Sequence, residues 1–161
     1  MASDQIVAVN QLASRLEHAT SMERIDALQE LQVLARSAPG IVGSLSLKKV
    51  LEFLLEQGSA EEYQEALDLI YRLVKCKDQQ AAKANADILL SHMSTVELLL
   101  DLLNHEDLTV GVMTSQILTE LHACNGALLE EQIQQCPDGN PHICHCSALY
   151  IEIVMFFYMQ V

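Results

Sequence analysis

Apolar residues recur at close to the 3.6-residue helical period along almost the whole chain, punctuated by capping signatures that mark where helices begin. Thr20–Glu23, Ser59–Glu62 and Ser94–Glu97 each read as a capping box, in which a hydroxyl and a carboxylate satisfy free backbone N–H groups reciprocally. The stripes between them predict the helices. Ser3 caps a first segment carrying Ile6, Val9, Leu12 and Leu16, and the second carries Ile25, Leu28, Leu31 and Leu34 until Pro39-Gly40 stops it. A third runs over about 46–57 with Leu47, Val50, Leu51, Leu54 and Leu55 inward, and Gly58 suits the left-handed closing position. Tyr63, Leu67, Ile70, Leu73 and Val74 line the fourth, and an alanine-rich helix ends near Leu90. From Val96 to Leu103 a short helix is nearly apolar all round. The next carries Leu108, Val112, Ile117, Leu118 and Leu121, and Asn125-Gly126 separates it from a last one with Leu128, Leu129 and Ile133.

Composition agrees with this helical reading. Half of the 161 residues are hydrophobic but only 4% are aromatic, and tryptophan is absent, so Leu, Ile, Val and Ala must fill the core. Three prolines and six glycines are too few for the turns of an all-β fold. The formal net charge of −13 is unevenly spread: Lys83 is the last basic residue, and Asp87, Glu97, Asp101, Glu106, Asp107, Glu120, Glu130, Glu131, Asp138 and Glu152 follow it. Surfaces of nucleic acid and anionic lipid demand clustered Lys and Arg, so no nucleic-acid partner is expected. An acidic solvated face explains the excess; a basic protein partner is the alternative. Residues 1–5 lack the basic flank and apolar core of a signal peptide. Cys76, Cys124, Cys136, Cys144 and Cys146 are an odd number without scaffold spacing, so free thiols in a reducing cytosol are expected.

The end of the chain differs in character. Tyr150, Phe156, Phe157 and Tyr158 are four of its seven aromatics. Residues 148–159 are apolar apart from Glu152, yet twelve helical residues reach about 18 Å against a hydrocarbon core of ~30 Å. A buried terminal strand or helix, a non-native end and a tail anchor remain open, and no transmembrane span is expected.

Few residues suggest chemistry. His142, Cys144, His145 and Cys146, with Cys136 nearby, are of metal-ligand type, but they crowd into too short a stretch for one tetrahedron, and no second pair is suitably spaced. His122 and Cys124, two apart at a helix end, would not share a face. Tyr63 and Tyr71 lie eight residues apart near one helical face, which suits core packing with the hydroxyl at the surface. Phosphate-binding glycine loops, a metalloprotease histidine pair and a nucleophile elbow are missing. No catalytic residue, cofactor-binding residue or metal ligand is therefore expected, and no enzyme.

Four stretches, in order, carry a resemblance. They are Glu23-Arg-Ile-Asp-Ala-Leu-Gln-Glu-Leu31, Glu65-Ala-Leu-Asp-Leu-Ile-Tyr-Arg-Leu-Val74, Thr95-Val-Glu-Leu-Leu-Leu-Asp-Leu-Leu-Asn-His-Glu-Asp-Leu-Thr-Val-Gly-Val112 continuing to Gln116-Ile-Leu-Thr-Glu-Leu121, and Glu131-Gln-Ile-Gln-Gln-Cys-Pro-Asp-Gly139. Over about residues 5–140 the chain resembles the armadillo-like globular head of the general vesicular transport factor family, long vesicle tethers acting between endoplasmic reticulum and Golgi. No single stretch is specific; their colinear order carries the likeness. After Gly139 the family's next helix does not follow, and its further repeats, dimerising coiled coil and acidic tail are not in this sequence, as in a truncated or alternatively spliced frame.

The capping boxes are 39 and 35 residues apart, close to the unit length of armadillo and HEAT repeats. The expectation is an all-α fold, an armadillo/HEAT-like right-handed α-solenoid of about eight helices, with a closed helical bundle as the alternative. Residues 1–142 would be truncated head repeats and 143–161 a divergent apolar tail. The resemblance implies a protein-binding scaffold in vesicle transport, cytoplasmic and peripheral on Golgi or transport-vesicle membranes, engaging Rab-type GTPases, SNAREs and other tethers. A small helical adaptor unrelated to membrane traffic is the other reading.

Overall fold

The computed structural model describes residues 2–18, 20–56 and 58–135, and among them every element is a helix. The seven helices are α1 (Ala2–His18), α2 (Ser21–Ser37), α3 (Pro39–Leu55), α4 (Ala60–Val74), α5 (Gln79–Leu90), α6 (Met93–Leu103) and α7 (Leu108–Gln134). The tail at 143–161, the boundary before it and the cysteine- and histidine-rich stretch from Cys136 to Cys146 lie outside the described residues.

The eighth expected helix is fused to the seventh. Asn125 interrupts α7 with non-helical angles (φ −156°, ψ 74°), and its side-chain oxygen accepts the Leu128 N–H at 3.3 Å, as a cap does for a new helix. The expected break therefore survives as a kink.

Cap geometry both meets and corrects the sequence reading. At Thr20 the full box forms: Thr20 Oγ1 takes the Glu23 N–H, and the Glu23 carboxylate takes that of Thr20. These bonds, the backbone one foremost, hold the Glu23 carboxyl below its ordinary pKa. Ser59 accepts the Glu62 N–H at 3.2 Å, but the Glu62 side chain does not return the bond. The Ser94 box does not form, because α6 has already begun at Met93, which turns Thr95 and Val96 into the core. Likewise Ser3 lies inside α1. Pro39 starts α3 seven residues ahead of the expected 46, since its fixed φ and missing N–H suit a first helical position. Gly58 has no positive φ; instead the Tyr63 hydroxyl ties the α3–α4 link, donating to the Glu56 carbonyl at 2.9 Å and accepting the Gly58 N–H at 3.3 Å.

Buried side chains from Val9 to Ile133 form one continuous cluster. Leu67, Ile70, Leu73, Leu99 and Ile117 are wholly inside it, whereas Ile6, Leu55, Leu108 and Val112, expected inward, are exposed. In α7 the inward stripe is Val110, Thr114, Ile117, Leu118 and Leu121, which turns Leu108 and Val112 to solvent. The nearly all-apolar α6 is buried against α5 and α7, the arrangement its sequence requires.

Contacts follow chain order. α1 packs on α3 and α3 on α5, while α2 packs on α4 and α4 on α7, and consecutive helices pack on each other. The kink lets α7 serve both series: Lys75 at the end of α4 pairs with Glu120 at 3.5 Å, and beyond Asn125 the Gln132 amide donates to the Leu90 carbonyl of α5. Two close approaches need glycine. A Cβ at Gly43 of α3 would lie 1.8 Å from Asn85 Oδ1 of α5, and one at Gly111 would lie 3.0 Å from the Leu103 carbonyl oxygen of α6. No described helix is long and apolar enough to cross a membrane.

Candidate functional site

Basic residues concentrate where two helices end. Arg36 stands in the last turn of α2 and Arg72 in the last turn of α4, where cations complement the negative end of the helix dipole. Because α2 and α4 pack on each other, these ends come together, and the link at 75–78 adds Lys75 and Lys77. A cleft of about 530 Å³ opens between them. Four of the nine Lys and Arg residues of this acidic chain line it.

Polar bonds between helices fix its walls. Gln32 of α2 donates through Nε2 to the backbone carbonyl of Glu65 at 2.9 Å and to its carboxylate at 2.8 Å. Deeper in the same interface Glu62, buried in α4, accepts from the Ser21 hydroxyl and pairs with Arg24 at 3.2 Å; the Arg24 guanidinium lies 5.6 Å from the Phe53 ring centroid. Asn85 of α5 donates to the Leu73 carbonyl at 2.9 Å and to the Pro39 carbonyl at 3.2 Å. One buried side chain thus joins the end of α4, the start of α3 and α5. The Leu73 oxygen belongs to the last turn of a helix, where carbonyls lack helical donors.

The four cations are not equivalent. Arg72 is paired with Asp68 at 3.0 Å, and Lys75 with Glu120. Lys75 also lies 5.6 Å from the Tyr71 ring centroid, and its ammonium is held protonated above its usual range, by Tyr71 first and then by Glu120. Arg36 and Lys77 are exposed and have no ion-pair partner among the described residues. Asp78, on the rim, spends its carboxylate capping α5 through the Ala81 N–H at 3.1 Å. Ala35 and Pro39 supply an apolar base, and because Pro39 has no N–H the Ala35 carbonyl loses its helical donor.

Comparison with known proteins adds no family: no protein-family model matches this chain, and no curated protein matches it.

Among the described residues, those singled out from sequence sit in separate structural settings. His122 Nε2 lies 3.2 Å from Glu130 Oε1 across the kink, while half-buried Cys124 packs against the core. Tyr71 lies beneath Lys75, and the hydroxyl of Tyr63 is spent on the α3–α4 link. Among the described residues no three His, Cys, Asp or Glu side chains gather as a metal site would need. Cys76 lines the cleft, its sulfur 3.1 Å from the Asp78 carbonyl and 3.6 Å from that of Leu73. Burial, first of all, pushes the Cys76 thiol up; burial and then Glu120, Asp87 and Cys76 do the same to Cys124. Thiolate is the reactive form. With Cys136, Cys144 and Cys146 replaced by serine, both thiols should react with an aromatic disulfide reagent at mildly alkaline pH several-fold more slowly than a small-molecule thiol. Equal or faster reaction would contradict the burial described.

Sequence reading overlooked the cleft, yet a signal was present. Arg36 and Arg72 each stand near the end of a helix that a capping signal opens, at Thr20 and at Ser59.

Proposed function

We propose that the chain is a protein-binding scaffold of intracellular vesicle transport, an armadillo/HEAT-like right-handed α-solenoid that works by docking partners and not by catalysis. The observation that carries this reading is the chain-ordered packing: among the described residues, substantial contacts join only helices at most three places apart. Stacked repeats pack in that way, each against its neighbours, leaving extended side surfaces for partners. On this reading the cleft where α2 and α4 end is one place for a partner to dock.

The trafficking assignment rests on the resemblance to the vesicle-tether head. Of the residues carrying it, Leu28, Leu31, Leu67, Ile70, Leu99 and Leu118 are buried, so they support the fold, and the partners are proposed on the order of the matching stretches. On this reading the chain is peripheral on Golgi or transport-vesicle membranes and binds a Rab-type GTPase, a SNARE or another tether. The test is capture on the immobilised chain of Rab-type GTPases loaded with GTP analogue or GDP, beside purified Golgi membranes. Retention of a GTP-loaded Rab over its GDP form, or of Golgi membranes over mitochondrial ones, is expected. If neither is retained, the trafficking role falls and a helical adaptor outside membrane traffic remains.

A further inference from the structure

The geometry points to the cleft between the ends of α2 and α4 as the docking site for an acidic, aliphatic-bearing peptide segment of a partner protein, with Arg36 and Lys77 taking its carboxylates. The inference rests on the protein-binding reading and supplies the chemistry of the partner.

Three features of the cleft converge on that occupant. Arg36 and Lys77 are cations without an ion-pair partner among the described residues, in a chain of net charge −13, and both edge the same opening. The side chains that could have neutralised them are committed elsewhere: Asp78 to its cap, Asp68 to Arg72 and Glu120 to Lys75. Ala35 and Pro39 form an apolar base for a branched aliphatic side chain. At about 530 Å³ the cleft falls within the size of specific ligand sites, roughly 300–1,000 Å³.

Other anions fit less well. Anionic membrane and nucleic-acid surfaces are held by several clustered basic residues acting together. Here only two cations lack partners, carboxylates stand directly behind the other two, and no Lys or Arg follows Lys83 in the sequence to extend the patch. A partner carrying a few carboxylates spaced by aliphatic residues meets two charges without confronting the rest of an acidic surface.

The test uses the full chain and a short fluorescein-labelled peptide alternating glutamate and leucine, read by fluorescence anisotropy, beside its glutamine–leucine counterpart. Arg36→Gln with Lys77→Gln should weaken glutamate-peptide binding about tenfold or more, as loss of two cation–carboxylate contacts implies. Lys48→Glu changes net charge equally at an exposed site outside the cleft and should leave binding unchanged. All three positions are exposed, and an unaltered helical spectrum and melting midpoint would establish that each variant folds. Peptide binding should also slow alkylation of Cys76 and leave Cys124 unaffected, which places the peptide in the cleft independently of the charge variants. Equal binding of the glutamine peptide, or indifference to the Arg36/Lys77 pair, overturns the proposal. So does binding of phosphatidylserine vesicles or single-stranded RNA with the same Arg36/Lys77 dependence when the peptide does not bind. Failure to capture Rab proteins or Golgi membranes while the glutamate peptide still binds removes the trafficking role and leaves this site standing.

Discussion

Replacing Gly43 with alanine should lower stability by about 3 kcal/mol, although the same change in an ordinary helix interior stabilises by roughly 0.5–1 kcal/mol. The added methyl would sit 1.8 Å from Asn85 Oδ1 and 2.4 Å from its Cγ. Asn85 is 1% exposed and cannot swing aside without leaving the Leu73 and Pro39 carbonyls. Overpacking a helix contact costs about 1–3 kcal/mol, and a buried polar group stripped of its partner a further 1–3 kcal/mol. Urea unfolding would read this as a lower midpoint. Asn85→Ala alone should also destabilise, but the Gly43→Ala/Asn85→Ala pair should lose clearly less than the sum, because shortening Asn85 makes room for the methyl. A raised midpoint for Gly43→Ala would mean that α3 and α5 do not approach as described.

The second large effect is expected at the α2–α4 ion pair and should be asymmetric. Glu62 keeps only 4% of its side chain exposed and Arg24 keeps 24%. Arg24→Ala leaves a carboxylate in the interface with only the Ser21 hydroxyl to replace the guanidinium, and should cost about 3–4 kcal/mol. Glu62→Ala leaves a guanidinium that still reaches water and the Phe53 ring, and should cost nearer 2 kcal/mol. The double variant should fall short of the sum of the two, since each single change strands a charge that the double change removes. Equal single losses that simply add would mean that the two side chains do not act as a pair.

Local signals were legible in the sequence and distant pairings were not. The stripe on α4, the box at Thr20 and the break at Asn125 each depend on residues within one or two helical turns, so periodicity and cap chemistry reach them. Pro39-Gly40 reads as an end because nothing separates the end of α2 from the start of α3: with Ala38 serving as cap to both, a stop signal and a start signal coincide. Glu62 looked like the returning half of a box, but a partner 41 residues away, Ser21, takes its carboxylate. Asn85 in an alanine-rich helix looks like a surface residue until α3 and the end of α4 are brought to it, from 46 and 12 residues away. The cleft is of the same kind, assembled by packing from charges that are scattered along the chain.

The bend at Asn125 also bears on how the stack can come apart. A single backbone leaves the side of α4, where Glu120 holds Lys75, and arrives at α5, where Gln132 holds Leu90. It works as a strap across the ends of both helix series. Tension applied at the far end of α7 meets the α5 contact at Gln132 first and reaches the α4 contact at Glu120 only past the bend, so α5 would be released before α4.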